Sequence, residues 1–271
     1  MTYAEAIALL RQSGVDSPEV DARELFLVYG EAKLPIPRDY SSPSEALAEA
    51  VARRMGREPL QYIIGRVGFY REEYRVTPAC LIPRSDTEHL VDYAVKNLPR
   101  GATFLDLCTG SGCVGISTLK NTDGTRCVMV DISEEALAVA SLNAEENGVA
   151  ERCELIRLDL TEGGEELSSH RPFAVLSNPP YVSAEEYRGL EPEIYAEPSI
   201  AFLGGEDGSS FYRRLLPLSL SLIEKGGFAA FEIGCGQGEL MSELADEHDC
   251  SLELYRDFGG QTRVAVFRPK N

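Results

Sequence analysis

From residue 84 onward the chain alternates short apolar runs with amphipathic stretches, and this alternation restricts the fold more than any other feature of the sequence. The apolar runs predict strands, and the stretches between them are long enough for helices. Strands that alternate with helices form a parallel sheet covered on both faces. The predicted strands cover Thr103–Leu107, Arg126–Asp131, Cys153–Leu158, Phe173–Ser177, Gly227–Glu232, Ser251–Tyr255 and Arg263–Phe267. The predicted helices cover Thr87–Asn97, Gly112–Leu119, Glu134–Asn147, Ser209–Glu224 and Gly238–Glu247.

The last two predicted strands are too close together for a helix between them. Only the stretch from Arg256 to Thr262 separates them. They must therefore form an antiparallel hairpin at or near the edge of the sheet. The pattern predicts an α/β fold with a Rossmann-like sheet of seven strands, in which the last strand is antiparallel.

The first 60 residues differ in character and predict three or four amphipathic helices, interrupted at Pro35 and Pro37. After them, short aromatic and β-branched runs at Val67–Tyr70 and Tyr74–Val76 flank Arg71–Glu73 and predict a β-hairpin. We therefore divide the chain into a small helical domain (1–66), a hairpin linker (67–83) and an α/β domain (84–271).

A loop with two glycines follows the first strand of the sheet and opens the next helix. Gly110 and Gly112 allow a tight turn and a close approach of the backbone to a ligand, and Asp106 precedes them in the strand. Asp131 ends the next strand, where an acid accepts hydrogen bonds from both hydroxyls of a ribose. The run Gly110–Gly115 also matches the dinucleotide fingerprint G-x-G-x-x-G. NAD and S-adenosylmethionine share adenine and ribose, so the loop leaves both open, together with a purely structural turn.

The tetrapeptide Asn178-Pro179-Pro180-Tyr181 follows the fourth strand, at the end of the sheet where open α/β folds bind ligands. An amide nitrogen is a poor nucleophile, because its lone pair is delocalised, and it must be held in line with a methyl donor. Asn178 offers a side-chain carbonyl and Pro179 a backbone carbonyl, and these two acceptors can hold both N–H groups of an amide. Pro180 keeps Pro179 extended, and Tyr181 offers an aromatic face. The tetrapeptide therefore favours methyl transfer to a planar nitrogen.

The cysteines and the apolar runs exclude several classes of protein. None of the seven cysteines forms a C-x-x-C pair, whereas zinc ligands usually come in closely spaced pairs. No apolar run approaches the roughly 18 residues of a membrane span. Met1–Glu5 lacks the basic and apolar regions of a signal peptide. We therefore expect a cytoplasmic protein with no metal site and no membrane partner.

The acidic charge is concentrated in the α/β part of the chain. Residues 1–75 contain 10 Lys and Arg against 12 Asp and Glu, a net of −2, and residues 76–271 contain 16 against 32, a net of −16. Contacts to phosphates dominate nucleic-acid affinity, so we expect no direct nucleic-acid partner. The simplest use of the charge is solubility.

Together, these segments resemble the HemK-type family of peptide chain release factor glutamine methyltransferases, nearly over the whole chain from Arg57. Ser85-Asp86 departs from the Pro-Glu that is usual in the family. Cys108 replaces a common glycine, so the backbone there must adopt angles that are allowed to an L-residue, and the side chain is small enough to be compatible with the site. The further segments that carry the resemblance are Arg57–Gly65, Leu81–Glu88, Glu197–Pro198, Gly204–Gly208, Phe211–Arg214, Phe231–Gly234 and Gln237–Gly238.

The resemblance implies a seven-stranded methyltransferase sheet in the α/β domain, S-adenosyl-L-methionine as cofactor, and the Gly-Gly-Gln loop of a bacterial release factor as target. It implies that the helical domain helps to recognise the substrate and that Asn178 to Tyr181 hold the glutamine. We also expect a monomer. The implied cofactor contacts are Asp106, Cys108, Thr109, Gly110, Ser111, Gly112, Asp131, Asn178 and, near the adenine, Leu160.

Four other functions are weighed against this one. A DNA adenine methyltransferase uses the same tetrapeptide, but the net charge of −16 and the lack of a basic recognition domain argue against it. A methyltransferase that acts on a ribosomal-protein glutamine would use the same chemistry. An NAD-dependent oxidoreductase would leave the tetrapeptide unexplained. A catalytically inactive binding module would not need an intact Asn178 and Asp131.

The tripeptide Gly259-Gly260-Gln261 repeats the target sequence that the resemblance implies. Self-methylation is conceivable on that ground. However, these residues lie in the short connection between the last two strands, where glycines serve the turn. We therefore expect Gln261 to stay unmodified.

Overall fold

The computed structural model describes residues 1–257 and 259–270 and leaves Phe258 and Asn271 outside the described residues. The chain forms two compact units, which we call the helical unit (Met1–Arg66 with Glu191–Ala196) and the α/β unit (Val67–Leu190 with Glu197–Asn271). This differs from the three-part division in two respects. The hairpin belongs to the α/β unit, and a short segment from within the expected α/β domain belongs to the helical unit.

Four helices build the helical unit. Thr2 and Glu5 form a capping box at the start of the first helix, and Pro18 occupies the first turn of the second. The apolar faces of these helices enclose a core with Leu10, Leu25 and Phe26 at its centre. The helices are α1 (Tyr3–Gln12), α2 (Pro18–Tyr29), α3 (Glu45–Met55) and α4 (Leu60–Ile64).

A buried ion network explains why the segment Glu191–Ala196 belongs to the helical unit. Arg54 donates to Asp21 over 2.6 Å and to Glu193 over 3.0 Å, and its side chain is only 8% exposed. Arg57 donates to the other oxygen of Glu193 over 2.7 Å. Buried charges require such partners, because leaving one unpaired costs several kcal/mol. The local sequence pattern around Glu193 contains no sign of these distant partners.

The hairpin has a tighter turn than the sequence predicts. Its strands are β1 (Arg66–Phe69) and β2 (Glu72–Arg75), with the turn at Tyr70 and Arg71. The expected turn at Arg71–Glu73 is therefore wrong. Glu72 lies within a strand because its carboxylate accepts hydrogen bonds from Ser117 and Asn121, which hold it toward the α/β core.

A sheet of seven strands forms the centre of the α/β unit, in the order β5-β4-β3-β6-β7-β9-β8. Neighbouring strands are parallel except that β9 runs antiparallel to both β7 and β8. This confirms the predicted sheet and its terminal hairpin. The strands are β3 (Thr103–Leu107), β4 (Arg126–Asp131), β5 (Cys153–Arg157), β6 (Ala174–Ser177), β7 (Phe228–Glu232), β8 (Cys250–Arg256) and β9 (Thr262–Pro269).

Helices cover both faces of this sheet, and the predicted ends of strands and long helices differ from the observed ends by at most two residues. Successive strand residues point to opposite faces, so Phe104 packs in one apolar cluster and Leu105 in the other. The helices are α5 (Glu88–Asn97), α6 (Cys113–Lys120), α7 (Glu134–Glu146), α8 (Ala184–Tyr187), α9 (Ser210–Leu222) and α10 (Gly238–Glu247).

Two features are absent from residues 1–257 and 259–270. No helix there has both the length and the apolar character that crossing a bilayer requires. The same residues contain no group of three or more His, Cys, Asp or Glu side chains that could hold a metal ion.

Candidate active site

The chain order of the strands reverses at β3, and the sequence-predicted site lies at this point. β4 and β6 flank β3 on opposite sides, and open α/β sheets bind ligands at the carboxyl ends of strands where the order reverses. Cys108 follows β3, Asp131 ends β4 and Asn178 follows β6. The sheet therefore brings together residues that are far apart in the chain.

The loop after β3 turns sharply at Cys108. The φ of this residue is +59°, in the left-handed region that favours glycine. This region is allowed to L-residues, but residues other than glycine seldom adopt it. The turn directs the N–H of Thr109 back to β4, where it donates to the carbonyl of Val130 over 3.0 Å. This hydrogen bond stabilises the turn.

Gly112 is required where the loop enters helix α6. Its φ is +81°, and a Cβ on it would lie 2.9 Å from Cδ1 of Ile116 and 3.2 Å from Cβ of Ala140. Helix α7, which contains Ala140, therefore packs directly against the backbone of Gly112. Just before this glycine, the carbonyl of Ser111 accepts a 2.8 Å hydrogen bond from the buried side chain of Asn143, which the sequence analysis did not single out.

Asp106 stabilises the loop from within the protein. It is 1% exposed, and its Oδ2 accepts hydrogen bonds from Oγ1 of Thr109, over 2.6 Å, and from the N–H of Gly115, over 2.9 Å. Burial raises the pKa of Asp106 to about 7, although both hydrogen bonds lower it. A buried carboxyl favours its neutral form because desolvation penalises the charge.

Asp131 connects the end of β4 to the loop. Its Oδ2 accepts a hydrogen bond from the N–H of Gly110 over 2.8 Å, and its Oδ1 accepts one from the N–H of Ser133 over 3.0 Å. Burial raises its pKa, and these backbone hydrogen bonds oppose the rise. Each carboxylate oxygen has two lone pairs, so both can accept a further hydrogen bond from a ligand.

Two cavities meet at this site. The larger, about 180 Å³, has Asp131 at one side and an apolar wall that includes Ile132, Leu158 and Leu160. The smaller, about 40 Å³, is lined by Asp106, Thr109, Ser111 and other residues. The residues that line both cavities are Leu81, Cys108, Gly110 and Asn178.

Asn178 is oriented by a residue from a distant segment. Its Nδ2 donates a 3.2 Å hydrogen bond to Oγ1 of Thr87, which is 2% exposed and ends a short turn before α5. This bond uses one of the two hydrogens of Nδ2, whereas Oδ1 accepts no hydrogen bond from the described residues. The side chain therefore offers an acceptor where the two cavities meet.

The rest of the tetrapeptide is held by a glycine loop. Gly208 has a φ of +77°, and a Cβ on it would lie 2.3 Å from the carbonyl oxygen of Tyr181. The same carbonyl accepts a 3.1 Å hydrogen bond from Gln237. Pro180 lines the larger cavity, whereas Pro179 is buried and, like Gly112 and Tyr181, lines neither of the two.

Two acidic residues near the site have contacts that the sequence analysis did not predict. Glu197 accepts hydrogen bonds from the N–H of Ile82, over 2.9 Å, and from Arg84. Glu232, at the end of β7, is 3% exposed and accepts from the hydroxyl of Tyr181 over 3.3 Å. A carboxylate at the end of a buried strand was the available signal for Glu232, whereas the partners of Glu197 lie more than a hundred residues away.

Comparison with known proteins identifies relatives over most of the chain. A family model described as a methyltransferase small domain matches residues 86–193. The release factor glutamine methyltransferase of Geobacter sulfurreducens is 40% identical over 79% of this chain and 74% of its own length. That of Moorella thermoacetica is 36% identical over 89% of this chain and 87% of its own.

Solved structures show the same fold. The ribosomal protein L11 methylase of Lactobacillus delbrueckii subsp. bulgaricus aligns with a TM-score of 0.52 and 19% identity, over 74% of this chain and 89% of that chain. At this identity the likeness concerns the fold alone. The relatives found by sequence establish the family as well as the fold, because they combine substantial identity with coverage of most of both chains. The chain belongs to the release factor glutamine methyltransferase family.

Proposed function

We propose that the chain transfers a methyl group from S-adenosyl-L-methionine to the side-chain amide nitrogen of the glutamine in the Gly-Gly-Gln loop of bacterial peptide chain release factors. One observation carries the proposal: Asn178 lies where the two cavities meet and offers Oδ1 as a free acceptor. A methyl donor in the larger cavity and an amide at Asn178 would then be neighbours.

The larger cavity fits the chemistry of S-adenosyl-L-methionine. Asp131 supplies a carboxylate for the two ribose hydroxyls, and Leu158 and Leu160 supply an apolar wall for the adenine. A Cβ on Gly110 would meet no atom within 4 Å, so the backbone is open to a ligand at this point. When bound, the cofactor supplies a methyl group activated on a sulfonium.

The tetrapeptide would orient the substrate amide. Oδ1 of Asn178 and the carbonyl of Pro179 would each accept one N–H of the glutamine side chain and thereby direct its nitrogen toward the donor. Orientation of this kind contributes up to roughly 7–11 kcal/mol in favourable cases. The same acceptors share the positive charge that develops on the nitrogen, which is an electrostatic contribution to the rate.

The choice of substrate rests on the relatives and on charge. The relatives from Geobacter sulfurreducens and Moorella thermoacetica are named as release factor glutamine methyltransferases. The net charge of −16 over residues 76–271 disfavours a duplex DNA substrate. We propose that the helical unit recognises the protein substrate, and that the enzyme acts as a cytoplasmic monomer.

Methyl transfer to a purified release factor tests the proposal. The enzyme is incubated with methyl-labelled S-adenosyl-L-methionine and a bacterial release factor, and the label is located by peptide mass mapping. We expect one methyl group on the glutamine of the Gly-Gly-Gln loop. A release factor whose loop glutamine is replaced by alanine is the matched control. Label on another residue, or label only on a ribosomal protein, would refute the assigned substrate.

A further inference from the structure

We infer that Gln237 is a positioning residue, which holds the backbone of Tyr181 and thereby the carbonyl of Pro179 that accepts the substrate amide. The inference rests on the proposed function, in which this carbonyl and the side chain of Asn178 together hold the target glutamine. Gln237 lies at the start of α10 and lines neither of the two cavities. It therefore acts on the substrate through the tetrapeptide.

The backbone of Gln237 is held on both sides. Its N–H donates to the carbonyl of Gly234 over 3.2 Å, and its carbonyl accepts from the N–H of Met241 over 3.1 Å, in the first turn of α10. Met241 is fully buried in the apolar core of the α/β unit. The side chain of Gln237 therefore extends from a fixed point, which a residue needs in order to position another.

The side-chain amide of Gln237 links two backbone groups. Its Nε2 donates to the carbonyl of Tyr181 over 3.1 Å, and its Oε1 accepts from the N–H of Gly234 over 2.8 Å. Oε1 also accepts from the hydroxyl of Tyr212 over 3.1 Å. If the amide were reversed, its oxygen would face the Tyr181 carbonyl and its NH₂ group would face the Gly234 N–H. The contacts therefore select one orientation, with the donor toward Tyr181.

Two glycines pack directly against the backbone that Gln237 holds. A Cβ on Gly208 would lie 2.3 Å from the carbonyl oxygen of Tyr181. A Cβ on Gly204 would lie 2.7 Å from the carbonyl oxygen of Pro180 and 2.8 Å from Cα of Tyr181. Glycines leave room for this close approach but have no side chain that could donate to the Tyr181 carbonyl. Gln237 supplies that donor.

The bond to Tyr181 affects the Pro179 carbonyl because little of the chain between them can rotate. The ring of Pro180 fixes one of the intervening backbone angles. After Tyr181, Val182 makes two backbone hydrogen bonds with the segment 202–204, of 2.8 and 2.9 Å. On the other side, strand β6 ends immediately before the tetrapeptide. The Pro179 carbonyl thus lies between two fixed points, and Gln237 is part of one of them.

Loss of this hydrogen bond should lower the rate more than the binding of either ligand. A carbonyl that can rotate holds the substrate nitrogen less exactly in line with the methyl donor, and a displacement of about 1 Å can cost about 100-fold in rate. The described hydrogen bonds of Gln237 do not reach Asp131 or Gly110, which form the proposed cofactor site. The affinity for the cofactor should therefore not change.

The experiment measures kcat, the KM for a release factor and the affinity for S-adenosylhomocysteine. Gln237→Met keeps the length of the side chain without its polar atoms, and we expect kcat to fall by at least about tenfold. KM and the affinity for S-adenosylhomocysteine should stay near the wild-type values, because the helical unit and the cofactor site are unchanged. A fall in kcat alone is the result that a positioning role predicts.

A core variant in the same helix controls for lost stability. Leu244→Ala shortens a fully buried side chain of α10 and leaves a cavity, so it should lower the urea midpoint more than Gln237→Met does. If instability alone reduced the activity, Leu244→Ala would lose more of it. A positioning role predicts the opposite, namely that Leu244→Ala keeps its kcat and Gln237→Met does not.

A substitution at Gly234 tests the same contact without changing Gln237. In Gly234→Ala the new Cβ would lie 2.9 Å from Oε1 of Gln237 and 3.1 Å from Cδ2 of Tyr181, so both side chains must move. We again expect kcat to fall while the affinity for S-adenosylhomocysteine is kept. Wild-type kcat in Gln237→Met, or an equal loss in Leu244→Ala, would overturn the inference. Failure of the wild type itself to methylate a release factor would instead refute the proposed function.

Discussion

The carboxylate of Asp131 accepts a hydrogen bond of 2.8 Å from the backbone N–H of Gly110, which joins the end of β4 to the glycine loop. The same carboxylate lines the larger cavity. One side chain therefore shapes the loop and also presents acceptors to a ligand. Its replacement should affect the binding of the cofactor more than any step that follows.

For Asp131→Ala we expect the affinity for S-adenosylhomocysteine to fall by at least about 100-fold. Two hydrogen bonds from ribose hydroxyls to a charged acceptor are lost, each worth roughly 1.5–3 kcal/mol. Calorimetry measures the change. Asp131→Asn, which keeps one acceptor oxygen, is the matched control and should lose less. Unchanged affinity in the alanine variant would exclude the ribose assignment.

Asn178→Ala should act on turnover instead of on cofactor binding. It removes the Oδ1 acceptor, and the loss of one such preorganised contact lowers kcat by about 100-fold or more. Single-turnover methylation of a release factor measures the rate, and calorimetry verifies that the variant still binds S-adenosylhomocysteine. The proposed role is wrong if the variant keeps a near-normal rate.

Arg54→Met should destabilise the helical unit. It removes the partner of Asp21 and leaves Glu193 with Arg57 alone, and breaking a buried ion pair in this way costs about 3–5 kcal/mol. The adjacent Arg53 provides a control, since its pair with Glu58 is exposed and Arg53→Met should cost at most about 1 kcal/mol. Urea unfolding measures both, and equal effects would contradict the assigned network.

Removal of the helices before Arg66 would also remove the ion-pair partners of Glu193. A chain that starts near Arg66 would lack Arg54 and Arg57, the partners of Glu193. We still expect such a chain, if it folds, to bind the cofactor and to methylate a release factor poorly. Full activity would show that the helical unit is not needed to recognise the substrate.

The buried Asp106 should make stability depend on pH. Its pKa in the folded protein is raised to about 7, so the folded state binds a proton that the unfolded state releases above about pH 4. The stabilisation is full below that pH, is lost as the pH rises to about 7, and stays lost above it. Carboxyls with lowered pKa, such as that of Glu193, contribute the opposite slope.

A comparison with Asp106→Asn isolates this contribution, because asparagine does not titrate. The free energy of unfolding of the wild type, relative to the variant, should fall by up to about 4 kcal/mol between pH 4 and 8. A pH-independent difference for Asp106→Asn would show that Asp106 is ionised in the folded protein.

Gln261 should remain unmodified when the enzyme is incubated with its cofactor alone. Its backbone N–H donates to Oδ1 of Asp257 over 2.9 Å, and its side-chain oxygen accepts from Sγ of Cys235 over 3.0 Å. These contacts hold the residue in the turn between β8 and β9. Peptide mass mapping after long incubation tests this, and a shift of one methyl group on Gln261 would overturn the expectation.

The sequence by itself determined the α/β sheet, the order of strands and helices along the chain, and the segments that form the site. Apolar runs such as Arg126–Asp131 predict buried strands because a parallel sheet is covered on both faces. Cys108 and Asn178 stand immediately after strands, so their place at the carboxyl end of the sheet follows from local pattern alone.

Only the tertiary structure decided how these segments contact one another. The hydrogen bond from Asn178 to Thr87 joins residues 91 positions apart, and the pair of Arg54 with Glu193 joins residues 139 apart. The left-handed turn at Cys108 likewise depends on a carbonyl in the neighbouring strand. Such contacts depend on strand order and register and on side-chain packing, and a periodicity that extends over a few residues contains no information about them.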